Sequence, residues 1–406
     1  MAYSNYRGEL SGIIVSYYMS KFPRISDLEA RAKRRMPPFV GAYLLSGTGM
    51  NEARDLTLSD YGQVKLVPRF LRGRLSPSLQ TNFMNTDFSA PFSVSPIGLS
   101  SLIWPGSEKA LAKAAKASGY GYSLSTVAGA SVEEIGPITG DKGFFQLYAP
   151  EDIDMAADLM KRAKQAGFTK MIITVDVPGP SRREEMRIAG APIGSRSETT
   201  PSLRVLWQSA MHPSWSMAAL QQGGKFRFKN LEPYASKEQL SNITKFIGSQ
   251  LNGSLTWDYF KKLRKMWDGP LLVKGALHDD DCRRLLKEGA DGLIISNHGG
   301  RQLDASPSPL SRLPALRAAM GDEAVLAIDS GIRSGTDIAR AIALGADFCF
   351  LGRAFLMGVA ALGNKGAHHV GDVLIEELEN VMVQLGVASL AGLRQIETKH
   401  PFTTGV

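Results

Sequence analysis

The chain has 406 residues, of which 44% are hydrophobic and 21% are charged, and its formal net charge is +8. This composition is typical of a globular protein with a large core and excludes a disordered or fibrous chain. The positive charge favours anionic ligands, but the sequence lacks the clustered basic and aromatic residues of nucleic-acid-binding proteins, so we expect no nucleic-acid partner.

Residues 1–90 are predicted to form an N-terminal helical extension that packs on the core. Within it, Ile25–Tyr43 has helical periodicity, which Pro37 and Pro38 interrupt. Residues 50–90 contain scattered short apolar pieces and are assigned to the same extension. The remaining residues, 91–406, are predicted to form a single catalytic or binding domain.

From residue 91 onward, short apolar runs alternate with helical segments. The predicted strands are Phe92–Ser95, Tyr120–Leu124, Phe144–Tyr148, Met171–Val175, Leu271–Lys274, Gly292–Ser296, Ala324–Ile328 and Phe348–Leu351. The predicted helices are Ser107–Ser118, Val132–Ile135, Asp152–Ala166, Trp257–Trp267, Asp279–Glu288, Leu310–Ala319, Thr336–Leu344 and a region from Ala354 towards Leu385. This alternation matches an α/β fold of the parallel (β/α)8 TIM-barrel type. A doubly wound open sheet is the alternative, and the lack of GxGxxG after the first strand counts against it.

Residues 178–255 interrupt this alternation after the fourth strand. So long a connection is typical of a functional lid or a partner surface. Its middle mixes apolar with basic side chains, namely Leu203, Val205, Leu206, Trp207, Met211, Trp215 and Met217 with Arg204, Lys225, Arg227 and Lys229. Two interpretations remain open: a lid that packs on its own barrel, and a surface that contacts an anionic membrane.

The chain has two cysteines, Cys282 in a predicted helix and Cys349 in a predicted strand. Neither lies in a CxxC or His-rich context, so we predict reduced core thiols and no metal site. Reduced thiols favour a reducing compartment. The N-terminus lacks a secretory pattern, and no run approaches the ~18 apolar residues of a membrane span. We therefore expect a cytoplasmic protein, with the membrane interpretation placing it on the inner face of the cell membrane.

The predicted sixth strand ends in Asn297, His298, two glycines and Arg301. A base and a fixed cation three residues apart, at the carboxyl end of a strand, stand where α/β barrels place their chemistry. His298 suits proton transfer, and the planar fork of Arg301 suits a carboxylate or a phosphate. The alternative is a pair of loop residues that only cap neighbouring elements.

The other predicted strand ends carry further polar residues. They are Gly98, Ser125, Gln146, Tyr148, Thr174, Asp176, Arg183, Lys274, Asp329, Arg333, Gly352 and Arg353. Arg333 and Arg353, beside glycine-rich turns, suit a phosphate, whereas Arg183 and Arg301 suit a second anion. Convergence of these residues on one barrel mouth predicts a phosphate-bearing cofactor, a carboxylate substrate and a base.

Several motifs resemble the family of FMN-dependent L-2-hydroxy acid oxidases and dehydrogenases. That family includes glycolate oxidase, lactate oxidase and monooxygenase, and L-lactate and mandelate dehydrogenases. The motifs are Ser296-Asn-His-Gly-Gly-Arg-Gln302, Phe145-Gln-Leu-Tyr148, Thr174-Val-Asp176, Arg182-Arg183-Glu184, Leu272-Val-Lys-Gly275, Asp329-Ser-Gly-Ile-Arg333 and Leu351-Gly-Arg353. The resemblance extends from about Ile25 to Leu393 and implies oxidation of an L-2-hydroxy acid to the 2-oxo acid by bound FMN.

The resemblance also implies a role for each matching residue. His298 is the implied base, Asp176 its partner, Tyr148 the contact of the substrate hydroxyl, and Lys274 the neighbour of the flavin N1/O2 edge. The residues implied to bind the substrate carboxylate are Tyr43, Arg183 and Arg301. The residues implied to bind FMN are Pro96, Ile97 and Gly98 near N5, Ser125, Gln146, Thr174, Lys274 and Ser296 around the ring, Asp329 at the ribityl chain, and Gly331, Arg333, Gly352 and Arg353 at the phosphate.

Three departures bear on the electron acceptor and the substrate. Gly98 stands where the glycolate and lactate oxidases have Ala, and in this it resembles the mandelate and L-lactate dehydrogenases and also lactate monooxygenase. The stretch His212–Ser216 resembles the dehydrogenases, and Val127 replaces a Trp of glycolate oxidase, which opens the pocket. The expected function is therefore a dehydrogenase that passes electrons to a quinone or another acceptor, with an oxidase or monooxygenase using dioxygen as the alternative. The resemblance suggests a homotetramer.

Overall fold

The computed structural model describes residues 17–191, 202–224, 226–251, 253 and 255–402. Residues 1–16 of the predicted extension, and Lys225 of the predicted basic surface, lie outside these ranges.

Eight parallel strands close into a barrel, and we label them β1 to β8. Their bounds are Phe92–Val94, Gly121–Ser125, Gly143–Tyr148, Lys170–Thr174, Leu271–Lys274, Gly292–Ile295, Leu326–Ile328 and Phe348–Leu351. Closure is made where β8 pairs with β1, with Cys349 opposite Phe92. The prediction of a (β/α)8 barrel is confirmed and the open-sheet alternative is wrong. The observed strand bounds differ from the predicted ones by no more than two residues.

Helices surround the barrel on the outside. Their bounds are Ile25–Arg35, Pro38–Leu45, Glu52–Gln63, Ser100–Ile103, Ser107–Ser118, Val132–Thr139, Ile153–Gln165, Glu184–Ala189, Leu203–Ala210, Pro213–Gln221, Lys237–Ser241, Ile243–Gln250, Trp257–Met266, Asp279–Lys287, Pro309–Met320, Gly335–Ala343, Arg353–Leu362, Asn364–Leu385 and Leu390–Arg394. Strand register brings the predicted site residues side by side, because Ser125 lies opposite Gln146 and Thr174 lies opposite both Tyr148 and Lys274.

The N-terminal extension contains elements that the sequence did not predict. Residues 52–63 form a helix, and Thr81–Phe83 pairs with Thr86–Phe88 in an antiparallel hairpin. Phe83 and Phe88 of the hairpin pack with Phe144, at the amino end of β3, and with Phe348 of β8. The hairpin therefore closes the amino end of the barrel, opposite the end where the chemistry was expected.

The described residues between 178 and 255 contain short helices, among them Leu203–Ala210 and Pro213–Gln221. Trp215 anchors them, because its indole N–H donates to the Leu102 carbonyl at 3.0 Å and its ring contacts the ring of Phe39. Gln208 is also buried, and its side chain bonds the Phe39 amide and the Ala189 carbonyl. Within the described ranges, no helix is long and apolar enough to cross a membrane.

Candidate active site

A cleft of about 890 Å³, open to solvent, lies at the carboxyl ends of the strands. The predicted residues that line it are Tyr43, Pro96, Ile97, Gly98, Tyr148, Thr174, Arg183, Lys274, His298, Arg301, Asp329, Gly331, Arg333, Gly352 and Arg353. The structure therefore brings the predicted base and the predicted phosphate-binding arginines into one cavity.

His298 follows the end of β6 in a left-handed backbone conformation, with φ of 57°. Its amide donates to the Ser296 hydroxyl, and its Nδ1 lies 2.8 Å from the carboxylate of Asp176. A carboxylate at Nδ1 fixes the proton there and leaves Nε2 as an acceptor. Nε2 faces the cleft, 3.4 Å from the Tyr148 hydroxyl.

Burial lowers the pKa of His298, and the neighbouring positive charges of Lys274 and Arg301 act in the same direction. The Asp176 carboxylate opposes this effect without reversing it. A neutral imidazole is the form that can accept a proton, so the surroundings of His298 suit a general base. Tyr148, in contrast, has its pKa raised, mainly by burial and then by the charge of Asp176, and stays protonated.

Lys274 ends β5 between two carboxylates. Its ammonium lies 3.2 Å from Asp176 and 3.6 Å from Asp329, and it donates to the Ser296 hydroxyl at 2.9 Å. Burial alone would lower the pKa of Lys274, but the two carboxylates outweigh it and raise the pKa. Burial would likewise raise the pKa of Asp176, yet His298 and Lys274 hold it at about 2. Lys274 therefore carries a buried positive charge at the floor of the cleft.

Arg183 and Arg301 flank the ring of Tyr43, with their guanidinium carbons 5.4 and 5.6 Å from its centroid. Both guanidiniums donate to the Tyr43 carbonyl, at 2.8 and 3.3 Å. Neither forms a salt bridge with a carboxylate of the described residues, and Arg183 Nε is buried without a partner. Burial, and then repulsion from Arg301, lowers the pKa of Arg183 to about 9. Two close cations that lack an anionic partner make a site for an anion.

Arg333 and Arg353 lie on the β7 and β8 side of the same cleft. Arg333 donates to the Ile332 carbonyl at 2.9 Å, and Arg353 donates to backbone carbonyls, including that of Gly299 at 2.9 Å. Burial lowers the pKa of both side chains, and for Arg353 the other cleft arginines add to the effect. The turn that precedes Arg333 has Ser330 and Gly331 at φ of 71° and 82°. Such a turn presents successive backbone N–H groups, which suits a phosphate.

Four predicted residues lie behind the lining rather than in it. Asp176 and Ser296 accept hydrogen bonds from the Lys274 ammonium, and both also bond His298. Ser125 donates to the Gln146 side-chain oxygen at 2.7 Å. The side-chain nitrogen of Gln146 and the hydroxyl of Thr174 are both buried without a hydrogen-bond partner among the described residues. Orphaned polar groups of this kind indicate a missing ligand edge.

Several residues that build this site have no role predicted from the sequence. The Asn297 side chain bonds the Thr57 hydroxyl at 2.8 Å and the Gly300 amide at 3.2 Å, and so holds the turn at His298. Ser330 accepts from the Gly299 amide at 3.0 Å. Asn297 and Ser330 lie inside two of the motifs that carry the family resemblance, which is the signal that could have found them, whereas Thr57 lies outside every motif. No group of three His, Cys, Asp or Glu side chains in the described ranges is arranged to hold a metal ion.

Comparison with known proteins gives a consistent result for the family and the fold. The family model described as FMN-dependent dehydrogenase matches residues 32–399. An L-lactate dehydrogenase of Acinetobacter baylyi is 33% identical over 371 residues, which is 91% of this chain and 95% of that protein. An L-lactate dehydrogenase of Acinetobacter baumannii is 35% identical over 370 residues, again 91% and 95%.

Two of the similar solved structures illustrate the likeness in fold. One is described as the monotopic membrane protein (S)-mandelate dehydrogenase, with a TM-score of 0.84 and 32% identity, covering 91% of this chain and 97% of that one. The other is a mandelate oxidase, with a TM-score of 0.78 and 28% identity, covering 94% of this chain and 100% of that one.

Proposed function

This chain belongs to the family of FMN-dependent dehydrogenases, and we propose that it oxidises an L-2-hydroxy acid of the lactate or mandelate kind to the 2-oxo acid. The observation that carries this proposal is the single cleft lined by a base, by two unpaired arginines and by two further arginines beside a glycine turn. FMN, the cofactor of the family, supplies an acceptor for the two electrons that leave the substrate.

The described residues fit FMN at three points. The orphaned Gln146 nitrogen and Thr174 hydroxyl offer hydrogen bonds to the polar edge of a flavin ring. Lys274 offers its positive charge to the same edge, where negative charge is to be stabilised. The arginines Arg333 and Arg353 lie across the cleft at the phosphate end. Pro96, Ile97, Gly98, Ser125, Ser296, Asp329, Gly331 and Gly352 complete the proposed cofactor site.

His298 is the base in this proposal. Oxidation of the hydroxy acid to the 2-oxo acid removes two electrons and two protons. The neutral Nε2 of His298 takes one proton, while the two electrons and the other proton pass to bound FMN. Asp176 holds the imidazole in the required tautomer and stabilises the positive charge that the imidazole gains, at a distance of 2.8 Å. Tyr148, whose hydroxyl lies near Nε2, binds the substrate hydroxyl and orients it towards the base.

Arg183, Arg301 and Tyr43 bind the substrate carboxylate. The two guanidiniums lack an anionic partner, so a carboxylate gains charge-assisted hydrogen bonds there while it relieves the repulsion between the arginines. Tyr43 presents its hydroxyl beside them and donates to the Gly98 carbonyl at 2.7 Å. Fixing the carboxylate leaves the substrate α-carbon between this clamp and the base.

The test is anaerobic reduction of the purified yellow holoenzyme by a panel of L-2-hydroxy acids that includes L-lactate and L-mandelate. We expect the flavin absorbance to bleach with at least one L-acid and not with its D-enantiomer. A flavin that no acid of the panel reduces would contradict the proposal.

Electrons then pass to a quinone or another acceptor rather than to dioxygen. Gly98 supports this choice, because glycine at this position resembles the mandelate and L-lactate dehydrogenases. A β-carbon there would lie 2.6 Å from the Val127 side chain. An oxidase or monooxygenase reaction with dioxygen is the alternative. Stopped-flow reoxidation of the reduced enzyme by dioxygen and by a soluble quinone analogue, compared at equal concentration, decides between them.

The helices Leu203–Ala210 and Pro213–Gln221 form a surface for peripheral contact with an anionic membrane. Leu203 and Trp207 are 86% and 68% exposed, and they are accompanied by the exposed side chains of Leu206, Met211, Met217 and Leu220. Large apolar side chains exposed on two consecutive helices are typical of an interaction surface, and the likeness to a monotopic membrane protein supports a membrane as the partner. Flotation with anionic liposomes should retain the wild type and lose Trp207→Ser, but not Phe70→Ser, a control that alters another exposed ring. Flotation of none of the three proteins favours a lid, whereas equal flotation of all three would show membrane binding that does not depend on Trp207.

We also propose a homotetramer on the inner face of the cytoplasmic membrane, with 1–90 as an extension and 178–255 as the membrane-facing insertion of a barrel domain, 91–406. Multi-angle light scattering of the detergent-solubilised holoenzyme measures the subunit number. A monomeric mass would contradict the tetramer without bearing on the chemistry.

A further inference from the structure

Three of the cleft arginines donate hydrogen bonds to backbone carbonyls in the last turn of the helix Pro38–Leu45, where carboxylates would usually be their partners. The Tyr43 carbonyl accepts from both clamp arginines, and the Leu44 carbonyl accepts from Arg301 at 2.8 Å and from Arg353 at 3.0 Å. The end of a helix carries unpaired carbonyls and a partial negative charge. These carbonyls hold the guanidiniums in place without neutralising them, so their charge remains available to an anionic ligand.

The chain that follows this helix, residues 46–53, forms a turn that two carboxylates fasten to the barrel loops. Glu184 accepts from the Gly49 amide at 2.9 Å and from the Thr48 hydroxyl at 3.3 Å, both through Oε2. Asp304 uses both of its oxygens, accepting from the Met50 amide at 2.6 Å and from the Ala53 amide at 3.2 Å. We call residues 46–53 the clasp.

Each carboxylate lies on the same loop as one arginine of the substrate clamp. Glu184 directly follows Arg183, and Asp304 stands three residues after Arg301. Each loop therefore bonds the N-terminal extension in two ways. Its arginine donates to carbonyls of the helix Pro38–Leu45, and its carboxylate accepts from backbone amides of the clasp. Neither carboxylate lines the cleft, so any effect on the reaction passes through the arginines.

The clasp is also closely packed against these loops. A β-carbon on Gly49, whose φ is 57°, would overlap the carboxylate of Asp304. A β-carbon on Gly47 would lie 2.5 Å from the Gly300 carbonyl oxygen. The clasp thus has little room to shift, and a shift would be passed along the chain to the Tyr43 and Leu44 carbonyls.

We propose that Glu184 and Asp304 are positioning residues: by fastening the clasp to the loops that carry Arg183 and Arg301, they fix the spacing of the two guanidiniums and so set the affinity for the substrate carboxylate. This inference rests on the proposed function of Arg183 and Arg301 as the carboxylate clamp. It goes beyond that function because it states that the N-terminal extension determines the positions of the two arginines.

The test compares four variants of the holoenzyme that separate hydrogen bonding, charge and packing. Glu184→Ala removes both acceptor bonds, whereas Glu184→Gln keeps an amide oxygen that can accept them. Asp304→Asn can satisfy only one of the two clasp amides. Gly49→Ala keeps every charge but pushes the clasp away from Asp304. Asp152→Asn is the matched control, because Asp152 also accepts from two backbone amides but at a helix start away from the clamp.

We expect KM for the hydroxy acid, and the dissociation constant of the 2-oxo acid measured from the oxidised flavin spectrum, to rise about tenfold in Glu184→Ala, Asp304→Asn and Gly49→Ala. The limiting rate of flavin reduction, measured on FMN-saturated protein, should change little, because the base is intact. FMN content is measured for each variant, because the Leu44 and Ser46 carbonyls also accept from Arg353. Glu184→Gln and Asp152→Asn should stay close to the wild type.

Unchanged KM and dissociation constants in Glu184→Ala and Asp304→Asn overturn the inference, as does a parallel loss of limiting rate, affinity and FMN, which would indicate a general structural role. A wild-type flavin that no L-2-hydroxy acid reduces overturns the proposed function itself and this inference with it. The two failures are thus distinguished by the behaviour of the wild type.

Discussion

The two ends of the barrel are built in opposite ways. At the carboxyl end, four partly buried arginines share one cleft and bond backbone carbonyls instead of carboxylates. At the amino end, the hairpin fills the barrel with aromatic rings, and Phe83 stacks on Phe348 with centroids 4.3 Å apart and planes at 8°. Buried charge without a partner costs stability, whereas stacked rings contribute it.

Left-handed backbone conformations occur at both ends: in the hairpin turn at the amino end, Met84 and Asn85 have φ of 51° and 59°. His298, Ser330 and Arg183 at the mouth have left-handed conformations, with φ of 57°, 71° and 46°. Side chains rarely adopt this region, and residues held there are typical of functional sites, where surrounding structure must compensate the strain. We infer that the packed amino end supplies stability for a strained mouth, so substitutions at the mouth should cost activity and those at the amino end should cost stability.

The largest effect should come from His298→Gln at the mouth. Loss of a general base typically costs about 10²–10⁴-fold in rate, and we expect a loss of this size in the anaerobic rate of flavin reduction. FMN content and the denaturation midpoint should stay near those of the wild type. If flavin reduction in the variant proceeds at the wild-type rate, His298 is not the base. If the variant loses FMN, the substitution affects cofactor binding as well as catalysis, and the proposed separation of activity from stability fails.

The counterpart at the amino end is Phe83→Ala. Removal of a buried phenyl ring typically costs about 3–5 kcal/mol, because the remaining cavity collapses only in part. We expect a loss of this order in the free energy of unfolding, measured by urea denaturation of the holoenzyme. The ratio kcat/KM at a temperature where the variant is folded should be unchanged, and Phe83→Leu, which refills part of the space, should recover much of the stability. A fall in kcat/KM with intact stability would break the comparison.

The barrel strands could be predicted from the sequence because they are buried. β5 and β8 are short continuous apolar runs, and their bounds agree with the prediction at both ends. Because closure of the barrel sets the carboxyl ends side by side, the residues that follow the strands could be placed at one mouth before the structure was known.

The elements that were missed lack those signals for physical reasons. The helix Glu52–Gln63 buries the polar side chains of Thr57 and Asp60, so it has no apolar stripe. The hairpin turns at Met84 and Asn85, both at positive φ, without the Asn-Gly or Asp-Gly pair that usually marks such a turn. Glu184 and Asp304 bond a segment more than a hundred residues distant, which no local pattern encodes.

A smaller effect at the mouth concerns pH. Since burial holds the pKa of His298 below its ordinary value, the imidazole stays neutral to lower pH, and kcat/KM should fall only below that pKa, about tenfold per unit. In Asp176→Asn the imidazolium loses its carboxylate, so the pKa falls further and the acid limb moves to lower pH, with a lower plateau. The pH profile of flavin reduction at low substrate concentration measures both. A limb that moves to higher pH would show that Asp176 does not stabilise the protonated imidazole.

The smallest expected effect is at the amino end and also depends on pH. Lys170, at the start of β4, is almost fully buried, with its ammonium 5.9 Å from the ring of Phe88 and 5.6 Å from that of Phe144. It donates to the Asp141 carbonyl and to the Thr169 hydroxyl at 3.2 Å. Burial lowers the pKa of Lys170 to about 8 from the ordinary value of 10.5.

Between pH 8 and 10.5 the unfolded chain therefore keeps a proton on Lys170 that the folded protein has lost. Because the unfolded state binds more protons in this window, the free energy of unfolding should gain from this residue as pH rises, by at most about 1.4 kcal/mol per unit. Lys170→Met, which removes the charge but fills similar space, should lose this gain and be more stable than the wild type below pH 8. Urea denaturation of both proteins from pH 7 to 9.5 measures the difference. If the free energy of unfolding depends on pH in the same way in both proteins, the Lys170 ammonium is well solvated in the folded state, and water reaches the amino end of the barrel despite its packed rings.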